Sequence, residues 1–594
     1  MKSYYFNFFS LLVIAALGVI VYSNTFHSPF HYDDRLFIVD NHAIRDIQDL
    51  PNIWRFYPCR FMVLFSIALN YHCHQLDVSG YHLFNIAVHL CSAFLVWGLV
   101  LLTLSVPAMK KDTISGHARL IALLAGLVFV SHPVQTEAVT YIWQRSSSMA
   151  ALFYLASLCF YVKSRLLSDT QSSGRGISQR IYYIGAALTA MAAMFTKETA
   201  ITLPLMILLY EFTFLKDQGP WNWKPLLPFL LSIFVIPLTT LLTHSQKVPY
   251  IQGSVNVPGG MSSMQYILTQ FRVMWTYIRL DFLPFNQNLD YDYHISKSIF
   301  ELPTLLSFLF LIVVLLAAQR LFSKHRFISF SILWFFLALI PEAMPFPIKD
   351  VIFEHRLYLP LAGYSMFLVS SAYYLFGKNM IKVMVIALTA IIACNSFLTY
   401  QRNKIWMDDM ALWNDTIQKS PHKARPYYNR GDIYQNQGNF SQALSDYTKA
   451  IDIDPTFVQA YNNRGLIYDN QGDFSGAISD YNKAIEIDPQ HVLTYNDRGN
   501  LYGKQGLLTL AIFDYNKAIE IDPQYAQAYN NRGATYRAQG NFVQAVSDFT
   551  KAIEIDPHFA QAYDNRAEAY FQLKEDDKAW ADVHQFNILK QAYN

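Results

Sequence analysis

Ionisable residues are sparse between residues 1 and 400 of this chain, and many of them fall in tight groups. One group is His31-Tyr32-Asp33-Asp34-Arg35. The others are His132, Glu137 and Arg145; Lys197-Glu198; Asp290 with Asp292; and Glu354-His355-Arg356. Ionisable side chains at membrane depth are costly and usually serve function. A carboxylate pair beside several cations at a bilayer surface suits the transfer of a sugar from a lipid-linked phosphate to a hydroxyl. Asp33 or Asp34 can act as the base on the acceptor hydroxyl. The leaving phosphate is already a weak base, so it needs charge stabilisation rather than an acid. Lys197, Arg356 and Arg145 are the candidate phosphate-binding residues. The oxocarbenium-like sugar centre sits between base and cations. His31, Arg35, His132, Glu137, Glu198, Glu354 and His355 are read as the supporting cluster. Each group alone has a structural explanation, as a solvated loop or a pair at a helix end; the shared depth carries the functional reading. On this reading Asp33→Asn and Asp34→Asn should both leave the fold intact, with Asp33 favoured as base because Arg35 can hold Asp34 in an ion pair.

These groups can meet only if the elements between them bring them to one face. Hydrophobic residues are 53% of the 594-residue chain, aromatics 16% and charged residues 15%. Residues 1–400 hold the apolar runs, long enough to cross a bilayer. Eleven spans are expected: 4–23, 82–104, 118–132, 147–163, 181–196, 199–215, 225–243, 301–320, 327–345, 357–376 and 381–400. Two further apolar segments, 61–76 and 265–284, contain too many polar residues and are read as helices lying at the interface. The N-terminal run, with Lys2 and no small-residue cleavage site, reads as the first span rather than a signal peptide.

Loop charge fixes the orientation. With the N-terminus cytoplasmic, Lys110, Lys111, Arg175, Arg180, Lys324 and Lys378 fall on cytoplasmic loops. All five ionisable groups then lie on the opposite face, as do the residues after 400. A net charge of +2 does not suggest a nucleic-acid partner. Of the five cysteines, Cys91, Cys159 and Cys394 sit inside apolar runs as packing residues, and Cys59 with Cys73 is the one pairing left open. The triplet His72-Cys73-His74 has ligand chemistry, but adjacent helix positions face different directions, so no metal site is assigned.

The last third of the chain repeats. Pro455, Pro489, Pro523 and Pro557 recur every 34 residues, as do Tyr427, Tyr461, Tyr495, Tyr529 and Tyr563, which is the tetratricopeptide period. The repeats are 424–457, 458–491, 492–525, 526–559 and 560–593, with 401–423 as a linking helix expected to pack on the first. Such helix pairs stack into a solenoid that binds and does no chemistry. Asn429, Asn463, Asn531 and Asn565 fall on the first helix of their repeats. They either line a protein-binding groove or bond neighbouring repeats together, and the sequence leaves both readings open. The fold class is therefore all-α, a polytopic helical membrane domain followed by an α-solenoid.

The strings FHYDDRLFIVDN, GYHLFNIAVHL, HPVQTEAVTYIWQRSSSMAALFYL, FTKETAITLPL and EHRLYLPLAGYS, in that order, resemble one group. This is the transmembrane and tetratricopeptide-repeat family of O-mannosyltransferases, within the C-type glycosyltransferase fold. The resemblance covers essentially the whole chain. It implies a polyprenyl-phosphate-linked sugar donor, usually carrying mannose, and a protein hydroxyl as acceptor. It also implies that the acidic pair Asp33 and Asp34 is catalytic. The repeat style NNRGLIYDNQGDF suggests a bacterial member. The expected place is then the bacterial inner membrane with periplasmic repeats, or the endoplasmic reticulum membrane with lumenal repeats in a eukaryote. No cofactor is implied, and the use of a divalent metal is left open.

Two other functions compete. A non-catalytic scaffold would assemble proteins through its repeats but has no need of Asp33, Asp34 and the outer cations. A transporter for the lipid-linked sugar would place ionisable groups near mid-membrane on both halves of the chain, and here they gather at one surface.

Overall fold

The computed structural model describes residues 2–168, 175–216, 223–243, 261–343, 347–348 and 350–592. They contain no β-strand, and they divide into two compact units, residues 1–419 and 420–594.

The first unit is a bundle of long apolar helices: α1 (Lys2–Tyr22), α4 (Val78–Ser105), α5 (Ala118–Ser131), α7 (Arg145–Ser168), α8 (Arg175–Met194), α9 (Leu203–Tyr210), α13 (Leu302–Leu321), α14 (Arg326–Leu339), α15 (Pro360–Phe376) and α16 (Ile381–Ile405). α10 (Leu227–Ser232) and α11 (Val235–Thr243) together occupy a further expected span. A helix stands at each of the eleven expected places. Eight of them are long and apolar enough to cross a membrane, counting the short turns that extend α7, α9, α14 and others. The other three, at 175–194, 224–243 and 360–376, are shorter or more polar. The packed centre runs through Ile14, Ala93, Val128, Tyr154, Trp334 and Ala362, all buried, and outward-facing Leu, Ile and Phe cover the rest. In a bilayer such an exposed apolar surface meets lipid rather than water.

The two ambiguous segments form α3 (Phe61–His74) and α12 (Ser263–Phe282). α3, at 14 residues, is too short to span, while α12 starts in a capping box in which Ser262 and Gln265 satisfy each other's backbone amides. The residues of chemical interest lie in short irregular turns between the long helices. Asp33 and Asp34 precede the π-helical turn Arg35–Val39. Glu137 is on the five-residue α6 (Thr136–Thr140), Lys197 precedes the 3-10 turn Glu198–Thr202, and Glu354–Leu357 is another such turn.

Two sequence expectations change here. The linking stretch 401–423 is not one helix. α16 runs on to Ile405, and α17 (Asp409–Lys419) closes the membrane unit, with Asp415 bonded to Arg402 at 2.6 Å and to Lys419 at 2.7 Å. Cys59 and Cys73 are both free thiols: Cys59 lies 3.4 Å from the hydroxyl of Thr239, and Cys73 is exposed with its neighbours His72 and His74.

The second unit is five helix pairs, from Ala424–Asn436 with Phe440–Ile453 to Ala560–Gln572 with Asp576–Ala592. Within each pair a small residue lets the helices meet: a methyl group built on Gly499 would come within 2.7 Å of the Tyr515 ring. One regularity escaped the sequence reading. In every repeat an arginine of the first helix forks onto an aspartate of the second: Arg430–Asp446, Arg464–Asp480, Arg498–Asp514, Arg532–Asp548 and Arg566–Asp582. Each fork is bidentate at 2.7–2.8 Å, and its planar guanidinium also stacks near the repeated tyrosines.

The charge distribution makes a prediction. A reporter active only outside the cytoplasm is expected to be active when fused after Asn594 and silent after Lys111. The reverse pattern would put the turns described below on the cytoplasmic side.

Candidate functional site

Asp33 and Asp34 are neighbours in different surroundings. Asp34 is completely buried, and both its oxygens accept backbone amides: Oδ2 from His31 at 2.9 Å and Oδ1 from Trp143 at 2.7 Å. Burial pushes its carboxyl up to about 7, against the downward pull of those amides. No Asp34–Arg35 ion pair is present among the described residues, and Arg35 is exposed, so the ion-pair expectation fails. Asp34 is anchored by main chain instead. Asp33 is half-buried, and its own amide donates to the Tyr141 hydroxyl at 3.0 Å. The loop is tense: Tyr32 is held at φ 34°, a left-handed conformation rare for a side chain of this size, with its ring against Trp413. His31 is committed too. Its Nε2 meets the Trp406 carbonyl at 2.8 Å and its Nδ1 the Asp409 carboxylate at 2.6 Å, tying the loop to the start of α17.

A second cluster gathers cations. Lys197 is 5% exposed, and its ammonium donates to the Ser147 hydroxyl at 2.7 Å. Arg60, just before α3, bonds Glu198 at 2.8 Å. Arg356 bonds Glu342 at 2.9 Å and the carbonyls of Val351 and Asp350. These five residues feel one another. Burial, then Arg60, pulls the Lys197 ammonium down to about 8, while Glu342 and Glu198 hold it up. The two arginines have carboxylate partners, whereas the hydrogen-bond partner of Lys197 is a neutral hydroxyl. Main chain links the turns of this cluster as well, since the Met62 amide donates to the Phe195 carbonyl at 3.0 Å.

One short stretch connects the two clusters. Tyr141 and Trp143 hold the aspartate loop, Phe37 lies flat on Trp143 with ring centres 3.8 Å apart, and Ser147 holds Lys197. Between them Arg145 faces inward. It is completely buried and donates to Asn85 at 2.6 Å, Ser66 at 3.2 Å and the Tyr81 carbonyl at 3.1 Å, with Phe84 against its face. Its fork is occupied by neutral groups of α3 and α4. This geometry fits a strut that locks the 141–147 stretch better than a phosphate contact.

The remaining acids and histidines are also largely engaged. Glu137 takes the His355 amide at 3.0 Å and its Nδ1 at 2.6 Å. Burial pushes the Glu137 carboxyl up to about 7 and the His355 imidazole well below its ordinary range. Glu354 accepts from Gln287, from the Asn288 amide and from the Tyr291 hydroxyl at 2.6 Å, and burial raises it to about 7. His132 caps the turn that follows α5 and reaches the Asp281 carbonyl at 2.8 Å. Asp290, buried, lies in the same loop as Tyr291.

The tetratricopeptide repeat model matches residues 424–457, 458–491, 492–525 and 526–559. The protein O-mannosyl-transferase F38B6.6 of Caenorhabditis elegans is 24% identical over 76% of this chain and 63% of its own length. The protein O-mannosyl-transferase Tmtc3 of Drosophila melanogaster is 24% identical over 75% and 55%, and TMTC3 of Mus musculus 24% over 76% and 51%. The match reaches well beyond the repeats into the membrane unit. The chain is similar to these protein O-mannosyl-transferases over about three quarters of its length. It spans about half to two thirds of the length of the curated relatives it matches.

Two members of the cation cluster were missed by sequence reasoning. Arg60 stands at the start of the helix read as interfacial, and a cation at that edge was the available signal. Glu342 lies inside the run 327–345 assigned as a span, where a lone carboxylate is itself a flag.

In the repeats the asparagines take part in contacts between neighbours. Asn463 donates to Tyr428 of the repeat before it at 3.2 Å, Asn531 to Asn496 and Asn500 at 2.9 and 3.0 Å, and Asn565 to Asn530 at 2.9 Å. The Asn429 amide nitrogen is buried with no partner among the described residues. Of the two readings left open, the stitching of repeat to repeat describes Asn463, Asn531 and Asn565.

Proposed function

We propose that the membrane unit is a glycosyltransferase that moves a sugar, mannose by resemblance, from a polyprenyl-phosphate carrier to a hydroxyl of a protein acceptor on the non-cytoplasmic face. The observation that carries this reading is the 141–147 stretch, which joins an aspartate loop to a cluster of three cations. Asp33 takes the proton from the acceptor hydroxyl. The hydroxyl oxygen then bonds to the anomeric carbon as the carbon–phosphate oxygen bond breaks, and the bonding pair leaves with the phosphate. Lys197, with Arg60 and Arg356 beside it, receives that charge. Asp34 keeps the loop in shape, and the Glu137–His355 pair and Glu354 fix the turn that carries Arg356. The lipid tail lies among the spans. The names of the relatives support the sugar-transfer class and tetratricopeptide repeats support a protein partner. A scaffold would gain nothing from a buried cation cluster of this kind, which is costly to fold.

The test is transfer by the purified full-length chain in nanodiscs. Polyprenyl-phosphate mannose and polyprenyl-phosphate glucose serve as donors, with mass spectrometry of the added hexose on proteins of the outer face. Truncation belongs to the same experiment. The cut must follow Lys419, because Asp409 and Asp415 hold His31 and Arg402 of the membrane unit. The chain ending at Lys419 is expected to bind donor and release free hexose slowly while losing most transfer to protein, chiefly through lost local concentration of acceptor. If no hexose is transferred from either donor, the enzymatic reading fails. If the truncated chain transfers to protein as well as the full one, the repeats do not present the acceptor.

A further inference from the structure

The first helices of repeats two, three and four, with the second helix of repeat three, line a groove of about 360 Å³, among its residues Asp469, Asp497, Asn500, Lys504, Tyr515 and Asn531. Its floor carries more negative charge than it neutralises. Asp469 lines the groove and is 6% exposed; its Oδ2 bonds Lys504 at 2.7 Å, and its Oδ1 is buried with no hydrogen-bond partner among the described residues. Asp497, one repeat along, accepts side-chain amide hydrogens among the described residues, from Asn462 at 3.0 Å and Asn496 at 3.3 Å. Two carboxylates thus face one ammonium, that of Lys504, which is 54% exposed. A buried carboxylate oxygen without a partner is a costly feature that a ligand can relieve. Burial holds the Asp497 carboxyl above its ordinary range, as expected of a site short of positive charge.

We propose that this groove binds a lysine side chain of an extended polypeptide, its ammonium received by Asp469 Oδ1 and Asp497. The proposal deepens the reading that the repeats hold a protein, by naming what they recognise. An ammonium fits better than a guanidinium. Asp469 offers one oxygen rather than a fork, and a compact point charge suits a single acceptor. The carboxylates suited to bidentate arginine, Asp480 and Asp514, are already taken within their repeats. Asn500, which lines the groove, accepts from Tyr515 and Asn531 through its oxygen, which leaves its amide nitrogen as the donor to offer a peptide carbonyl.

The experiment needs no sugar donor, so its outcome is independent of the transfer reaction. The full chain in nanodiscs is panned with a random decapeptide library, acetylated at the N-terminus and amidated at the C-terminus, and retained peptides are read by mass spectrometry. Lysine is expected to be enriched at one position and arginine less so. Asp469→Asn is expected to remove that enrichment, with at least about a tenfold loss of affinity for a retained peptide. Lys504→Gln alters an exposed side chain and frees Asp469, so it is expected to tighten lysine peptides several-fold. This second variant keeps the test open should Asp469→Asn disturb the repeats. A parallel library without lysine but with a free N-terminus separates a side-chain ammonium from a terminal one. Enrichment of aspartate or glutamate, of termini only, or of no residue overturns the proposal. So does weaker lysine binding in Lys504→Gln.

Discussion

Asp33→Asn is expected to lower transfer to the protein acceptor by about 10²–10⁴-fold while the chain stays folded and inserted. The side chain is half-buried, its amide rather than its carboxylate makes the contact with Tyr141, and an amide of equal size leaves that contact in place. Donor binding should hardly change, because the base acts on the acceptor. Asp34→Asn is expected to behave differently. Both oxygens of Asp34 accept backbone amides, and a carboxamide can accept only one of them. The other N–H then faces an NH₂ group in a fully buried place, a loss of about 1–3 kcal/mol. Thermal unfolding should fall for Asp34→Asn and not for Asp33→Asn, so the sequence-based expectation that both swaps are tolerated is replaced. Wild-type transfer by Asp33→Asn would remove Asp33 as the base.

Lys197→Met is expected to reduce transfer by about 10²-fold, the usual loss when one preorganised donor to a developing anion is removed. The effect should appear in turnover and in donor affinity together, since the phosphate is charged before and after the bond breaks. Lys197 also sets an alkaline limit. Its ammonium sits at about 8 because burial and then Arg60 disfavour the charged form. The cation is therefore present below that pH and lost above it, and donor affinity should fall as pH rises through about 8. Lys197→Arg keeps its charge across this range. It should abolish the alkaline fall, at a lower rate overall because a planar fork cannot reproduce a single bond to Ser147. Unchanged donor binding by Lys197→Met would move the phosphate away from this cluster and leave its cations a structural role.

Much of this molecule was legible in the sequence because its determinants are local. A run of apolar residues must satisfy its backbone within one helix when water is absent, so the helices at the expected spans follow from composition and length. The 34-residue period fixes which small and aromatic residues meet in each repeat, as Gly499 and Tyr515 do. Several residues of the candidate site could be singled out as well, since charge is rare enough in such a chain to stand out, although Arg60 and Glu342 were not among them. What each charge does was not legible. Asp33 and Asp34 are identical in type and adjacent, and it takes burial and the Trp143 amide, over a hundred residues away, to set the loop anchor apart from the candidate base. Arg145 and Lys197 look like equal cations until Asn85, Ser66 and Tyr81 take the fork of one, and the Ser147 hydroxyl receives the other. Arg60 joined the cluster through Glu198, and residues 401–419 joined the membrane unit through bonds to His31, Val21 and Gln287. Helices and periods are set by neighbours along the chain. The commitment of a buried polar atom depends on which distant group reaches it first, and that is decided by packing.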